Sequence, residues 1–224
     1  MGSLYLVRHG QASFGADNYD QLSPLGERQC RRLGEYLSAR GRRFDRVITG
    51  TLVRHEQSRA ALAEGLADAS LPEALGLPGL DEYDSHAVIA AIHPEPLARP
   101  TTPELYRHHF RLLRQGLAAW MSGQTQPAGM PSYAGFRAGV AAALDEARRT
   151  PEARVLLVSS GGPISTAVAQ VLGVSPEVSI ELNMRLRNSA VCEFEMSAKR
   201  HSLLTFNTLP HLDEPGLADW ITYA

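Results

Sequence analysis

The chain has 224 residues, with 22 Lys+Arg against 24 Asp+Glu for a formal charge of -2, 44% hydrophobic and 21% charged. These are globular proportions that exclude a disordered or fibrous chain, and the near-neutral balance argues against a nucleic-acid partner held by a basic face. A chain this long buries roughly 70% of its unfolded surface without staples. The two cysteines, Cys30 and Cys192, lie far apart, and no charged leader precedes Leu4-Tyr5-Leu6-Val7, so a reduced, cytoplasmic protein is expected.

Leu4 to Val7 is a short apolar run ending at Arg8-His9-Gly10, which predicts a buried parallel strand entering a glycine-bearing turn. Ser23-Pro24 supplies an N-cap and a proline at the first helical position, and Cys30, Leu33 and Leu37 follow at helical spacing until Gly41. Arg40, Arg42, Arg43 and Arg46 read as a solvated helix end. Arg46-Val47-Ile48 is too short for a helix between Gly41 and Gly50 and predicts a strand, with a second helix from Leu52 to Leu66. Pro94, Pro96, Pro100 and Pro103 then punctuate a stretch that reads helical from Glu104 to Met121 and from Tyr133 to Arg149, taken as a helical insertion at about 81–151 over the sheet's edge. Arg154 to Val158 leads through Ser159-Ser160-Gly161-Gly162 into a helix from Ile164 to Leu172, stopped by Gly173. The uncharged stretch from Val155 to Pro176 is long enough to cross a bilayer, but the Ser-Gly-Pro turn inside it marks strand, turn and helix, so no membrane partner is expected. Ala190 to Glu195 and Ser202 to Phe206 alternate as a final strand pair. Strand and helix thus alternate as in one α/β domain over residues 1–224, a three-layer αβα sandwich around a mostly parallel central sheet.

Ligands of such sheets bind beyond the carboxyl ends of the strands. Three of those ends carry Arg8-His9-Gly10, Thr49 to Arg54, and Ser159-Ser160-Gly161-Gly162. Arginine offers a planar donor fork for phosphate oxygens, and a glycine-rich helix start adds free N–H groups and a favourable dipole. The combination asks for a phosphate held by Arg8, Arg54 and the N–H groups of Gly161 and Gly162. His86, His93, His108 and His109 lack ligand-like spacing, so no metal is called for, and Ser160 lacks the Gly-x-Ser-x-Gly context of a hydrolase nucleophile.

Leu6-Val7-Arg8-His9-Gly10, followed by Asp20-Gln21-Leu22-Ser23-Pro24-Leu25-Gly26-Glu27-Arg28-Gln29 and by Thr51-Leu52-Val53-Arg54, resembles the histidine phosphatase superfamily, also called the phosphoglycerate mutase-like family. The resemblance covers nearly the whole chain and implies that His9 is transiently phosphorylated. It also implies that Leu80-Asp81-Glu82 brings a proton donor, Glu82, and that Ser160 stands where the family usually has a second histidine. A neutral His9 imidazole would attack phosphorus, Arg8 and Arg54 would hold the equatorial oxygens, and a protonated Glu82 would supply the leaving oxygen's proton. Neither cofactor nor metal is required, because arginines neutralise the phosphoryl group. Serine offers a hydrogen bond without charge, so His55 or His211 is expected to compensate at the phosphate, His211 being favoured. The expected activity is hydrolysis of a small phosphorylated substrate. The rivals are mutase-type phosphotransfer and a low-activity phospho-ligand sensor, and a homodimer is left open.

Overall fold

The computed structural model describes residues 1–13, 20–67, 71–97 and 100–223. Their elements in chain order are β1 (Gly2–Arg8), α1 (Pro24–Ala39), β2 (Arg46–Thr49), α2 (Val53–Leu66), β3 (Ala74–Gly76), α3 (Ser85–Ala90), α4 (Pro103–Met121), α5 (Tyr133–Ala147), β4 (Arg154–Ser159), α6 (Gly161–Leu172), α7 (Pro176–Arg185), β5 (Val191–Met196) and β6 (His201–Thr208). The sheet order is β3-β2-β4-β1-β5-β6. The first four strands of that order run parallel, and β5 and β6 join antiparallel.

Alternation along the strands makes the sheet two-sided. Leu4 and Leu6 of β1 share one apolar cluster with Val155 and Leu157 of β4, while Tyr5 and Val7 share the other with Leu156 and Val158. A strand buried on both faces requires cover on both. Leu33 and Leu37 of α1 and Leu62 and Leu66 of α2 contribute to the second cluster. Leu117 and Trp120 of α4, Val140 and Leu144 of α5, and Ile164 and Val168 of α6 contribute to the first. The three-layer α/β arrangement expected from sequence is the one observed.

The stretch read as an insertion over the sheet's edge differs in placement, because α4 and α5 belong to the apolar cluster on one face. Both helices are where the sequence predicts them, and it is their buried apolar faces that bring them onto the sheet. The elements absent from the sequence reading are those with little apolar signal. Strand β3 has three residues with Leu75 exposed, α3 is held at its start by Asp84 accepting from the N–H groups of His86 and Ala87, and α7 buries only Ser179 and Ile180.

Parallel pairing sets the position of the candidate site. Arg8 lies opposite Ser159, and Thr49 opposite Val158; the pairing continues one residue further as His9 N–H donates to the Ser159 carbonyl (2.9 Å) and Gly50 N–H to that of Val158 (3.1 Å). Three polar strand ends are thereby brought side by side. Trp120 backs this edge from α4, its ring 6.1 Å from Tyr83, the neighbour of Glu82, and 5.4 Å from Phe136. Trp120→Ala should cost about 3–5 kcal/mol of stability, read as a lowered urea midpoint with an unchanged slope, and should loosen the Tyr83 segment.

Candidate active site

His9 is buried, 2% exposed, immediately after β1. Its Nδ1 lies 2.7 Å from the Gly10 carbonyl oxygen. A carbonyl only accepts, so Nδ1 carries the hydrogen and, in the neutral ring, Nε2 keeps its lone pair. Burial first, then Arg8, Arg54 and His55, hold the imidazole pKa well below its ordinary value, against a smaller opposite effect of the Gly10 hydrogen bond. The turn itself requires glycine, because a Cβ on Gly10 would stand 2.3 Å from the Gly26 carbonyl oxygen at the start of α1.

Both expected arginines are buried beside it. The Arg8 guanidinium donates through Nη1 to the carbonyls of Leu186 (2.5 Å) and Tyr223 (2.8 Å). The Tyr223 segment is anchored in turn by Gln29 Nε2 donating to the Trp220 carbonyl and Thr222 Oγ1, and by Asn188 N–H donating to the Thr222 carbonyl. Arg54 sits in the first turn of α2 and donates to Asp20 at 2.8 Å, while the same carboxylate accepts from the N–H groups of Val53 and Arg54. Asp20 thus caps α2 and orients Arg54 together. Asp20 and Gln29 lie in a motif stretch whose spacing gives neither of them a role, and Asn188 carries no local sequence signal at all.

Glu82 meets these groups from the segment before α3. Both of its carboxyl oxygens face the Gly162 N–H, at 3.1 and 3.2 Å. Burial raises its pKa, and the Gly162 hydrogen bond, Arg54 and Arg8 oppose that rise without cancelling it. The glycine pair also serves a close approach of side chains. A Cβ on Gly162 would fall 2.1 Å from Glu82 Oε1, and one on Gly161 would fall 2.5 Å from Asn183 Oδ1. The glycines let the Glu82 carboxyl and Asn183 approach the start of α6, and the Gly162 N–H is already engaged by Glu82.

Ser160 and His55 are both fully buried and joined, His55 Nε2 lying 2.6 Å from Ser160 Oγ. His211, the substitute favoured from sequence, makes its hydrogen bond elsewhere: its Nε2 lies 2.9 Å from Ser189 Oγ, and Ser189 N–H donates to the His9 carbonyl. It supports the main chain behind His9, and the contact with Ser160 belongs to His55. Chain distance hid this, since 105 residues separate His55 from Ser160. Among the described residues no group of three or more His, Cys, Asp or Glu is placed to hold a metal ion, and none of the helices is long and apolar enough to cross a membrane.

Buried His9, Arg8 and Arg54, and the Glu82 carboxyl of raised pKa, thus gather at the carboxyl ends of the parallel strands of an α/β sheet. The chain belongs to the histidine phosphatase superfamily (branch 1), whose profile matches residues 4–209. It is 32% identical over 75 residues to a broad-specificity phosphatase of Saccharomyces cerevisiae, covering 31% of this chain and 33% of that protein. It is 33% identical over 100 residues to a 2,3-bisphosphoglycerate-dependent phosphoglycerate mutase of Methylobacterium, covering 38% and 48%. The matches thus span a third to a half of these relatives. Among solved structures, phosphoserine phosphatase of Entamoeba histolytica superposes with a TM-score of 0.65 at 19% identity, covering 95% of this chain and all of that one. The alpha-ribazole phosphatase of Shigella flexneri does so with 0.65 at 19%, covering 92% and 96%. At that identity they share the fold.

The buried histidines make stability depend on pH in a defined direction. Burial lowers both His55 and His211 to about 3, and His9 is lowered as well. Below the ordinary value near 6.5 the unfolded chain takes up protons that the native state refuses, so stability is full above that pH and is lost as pH falls toward the folded values. Glu82, raised, acts in the opposite sense. His201, lowered to about 4 by burial, acts in the same direction as the other three, so the lowered histidines outnumber the one opposed carboxyl. Urea titrations at pH 7, 6 and 5 should show the midpoint falling as pH drops through 6 to 5.

Proposed function

We propose that this protein is a phosphomonoester hydrolase that works through a phosphohistidine at His9 on a small phosphorylated substrate. The observation that carries the reading is the His9 ring, whose Nδ1 faces the Gly10 carbonyl at 2.7 Å, so that an unprotonated Nε2 is available between Arg8 and Arg54. In the first step the Nε2 lone pair forms the N–P bond as the P–O bond to the alcohol breaks, and the leaving oxygen takes the proton of Glu82. Arg8 and Arg54 hold the equatorial oxygens, where charge spreads in the transition state. Water then attacks phosphorus, giving its proton to the Glu82 carboxylate, and the N–P bond breaks to return neutral His9 and inorganic phosphate. Residues 1–224 act as one domain in this reading, and the arginines stand where a metal ion would otherwise carry the charge. The names of the yeast and Methylobacterium relatives support phosphoryl chemistry, and a mutase-type transfer would share the first step and differ in releasing no inorganic phosphate.

The environments of His9 and Glu82 set the pH profile. Glu82 must start protonated, so its raised pKa places the descending limb of kcat/KM above 4.5, with activity falling as pH rises. His9 must start neutral, and its lowered pKa places the ascending limb below 6.5. Glu82→Gln should lower kcat on p-nitrophenyl phosphate by about 10²–10⁴-fold and remove the descending limb. His9→Ala should abolish both phosphate release and the acid-labile, base-stable phosphate trapped from wild type in a rapid acid quench; undiminished turnover in that variant overturns the mechanism. Activity should survive exhaustive dialysis against EDTA, and a loss restored by a divalent ion would assign the chemistry to a metal instead.

A further inference from the structure

His55 takes no part in the reaction as written, yet the structure is built around its ring. It is fully buried in the first turn of α2, next to Arg54, with its ring centroid 5.8 Å from that of His9. Nε2 meets Ser160 Oγ at 2.6 Å. Nδ1 faces Asp81 Oδ1 at 3.7 Å, beyond hydrogen-bond length. Asp81 is itself pinned, accepting from Thr51 N–H and Thr51 Oγ1–H at 2.5 Å each. Gly50 leaves the room for this arrangement: a Cβ there would stand 2.2 Å from His55 Nδ1 and 2.7 Å from Asp81 Oδ1. Ser160 occupies the N-cap of α6, where a serine oxygen ordinarily accepts from the helix's first N–H groups, but its side chain makes no such bond. Its hydroxyl is turned to His55.

We propose that Ser160 is a hydrogen-bond donor to the phosphoryl group and that His55 is its positioning residue, oriented from behind by Asp81. A hydroxyl has a single proton, and its other neighbour decides where that proton points. If His55 Nε2 accepts, the serine proton is spent on the imidazole and Oγ presents lone pairs to an anion. If Nε2–H donates, the serine proton is released toward a phosphoryl oxygen. In the ligand-free protein burial and Arg54 hold the imidazole neutral. A bound phosphoryl dianion on the Ser160 side and the Asp81 carboxylate on the other favour the doubly protonated ring, with its second proton drawn from solvent as the anion enters; Arg8, Arg54 and His9 act against it. With both ring nitrogens protonated, Nδ1–H points to Asp81, Nε2–H to Ser160 Oγ, and Ser160 Oγ–H to the phosphoryl oxygen. The line Asp81–His55–Ser160 thereby brings a charge to the phosphoryl group through a neutral donor.

The inference rests on the phosphatase reading, and the test keeps the two apart. His55→Ala, Ser160→Ala, the double variant and His55→Ala combined with Ser160→His are compared with wild type for kcat and KM on p-nitrophenyl phosphate and for vanadate affinity by calorimetry. Each single substitution should lower kcat by about a hundredfold or more with KM changed by less than about threefold, and the double should lose no more than the worse single, since the two act as a unit. Moving the imidazole to position 160 should recover about tenfold or more over His55→Ala, which a merely structural role for His55 does not predict. Wild-type kcat in His55→Ala, or losses that multiply in the double variant, overturns the proposal. Ser160→Ala removes one oxygen and keeps the backbone, so the comparison survives if His55→Ala fails to fold. Absence of acid-labile phosphate in wild type defeats the phosphohistidine reaction alone; vanadate affinity, which needs no turnover, then still decides the role of His55, with unweakened binding in His55→Ala and Ser160→Ala counting against it.

Discussion

Strand β1 is hydrogen-bonded along both edges, parallel to β4 and antiparallel to β5, and is buried on both faces. That double constraint leaves it no freedom of register, because a shift by one residue would exchange Leu4 and Leu6 with Tyr5 and Val7 between two apolar layers. Everything at its carboxyl end inherits this rigidity. Arg8 stands beside Ser159, His9 continues the ladder by one bond, and the helices after β2 and β4 begin within reach of it.

On this frame the electrostatics are unusual for a protein of near-zero net charge. Two guanidiniums and two imidazoles lie close together out of water, and the lowered pKa values of His9 and His55 are the direct result. Among the described residues, Arg8 Nη1 donates to main-chain carbonyls and Arg54 to the Asp20 carboxylate, and these bonds set the direction of both guanidiniums. Glu82 is the exception in sign, and its raised pKa shows burial prevailing over the attraction of both arginines.

How far the sequence could be read follows from range. Apolar runs and caps are local, so β1, β2, β4 and the helices beginning at Pro24, Pro103 and Tyr133 were legible within a few residues, Ser23 accepting from Gly26 N–H as its N-cap position implies. His9, Arg8 and Arg54 were legible because they sit at strand ends and helix starts, where local pattern and topology agree. What escaped was pairing between distant segments. Asp20 to Arg54, Glu82 to Gly162 and His55 to Ser160 each join stretches whose separate sequences say nothing of the contact. The glycine pair at 161–162 shows the same limit: a close approach requires glycine as much as an anion cradle does, and only the coordinates show that Glu82 occupies the approach.

Arg8 reaches carbonyls 178 and 215 positions away, so a short motif near residue 8 is finished by residues near the other end. Contacts of such sequence separation are paid for in loop-closure entropy before they return any energy, and they slow folding. A chain in which β1, β2 and β4 have already paired therefore still holds Arg8 by one anchor fewer until residues 220–223 dock beside Gln29. Pairing of the sheet alone therefore does not complete the surroundings of Arg8, which also need the 220–223 segment in place.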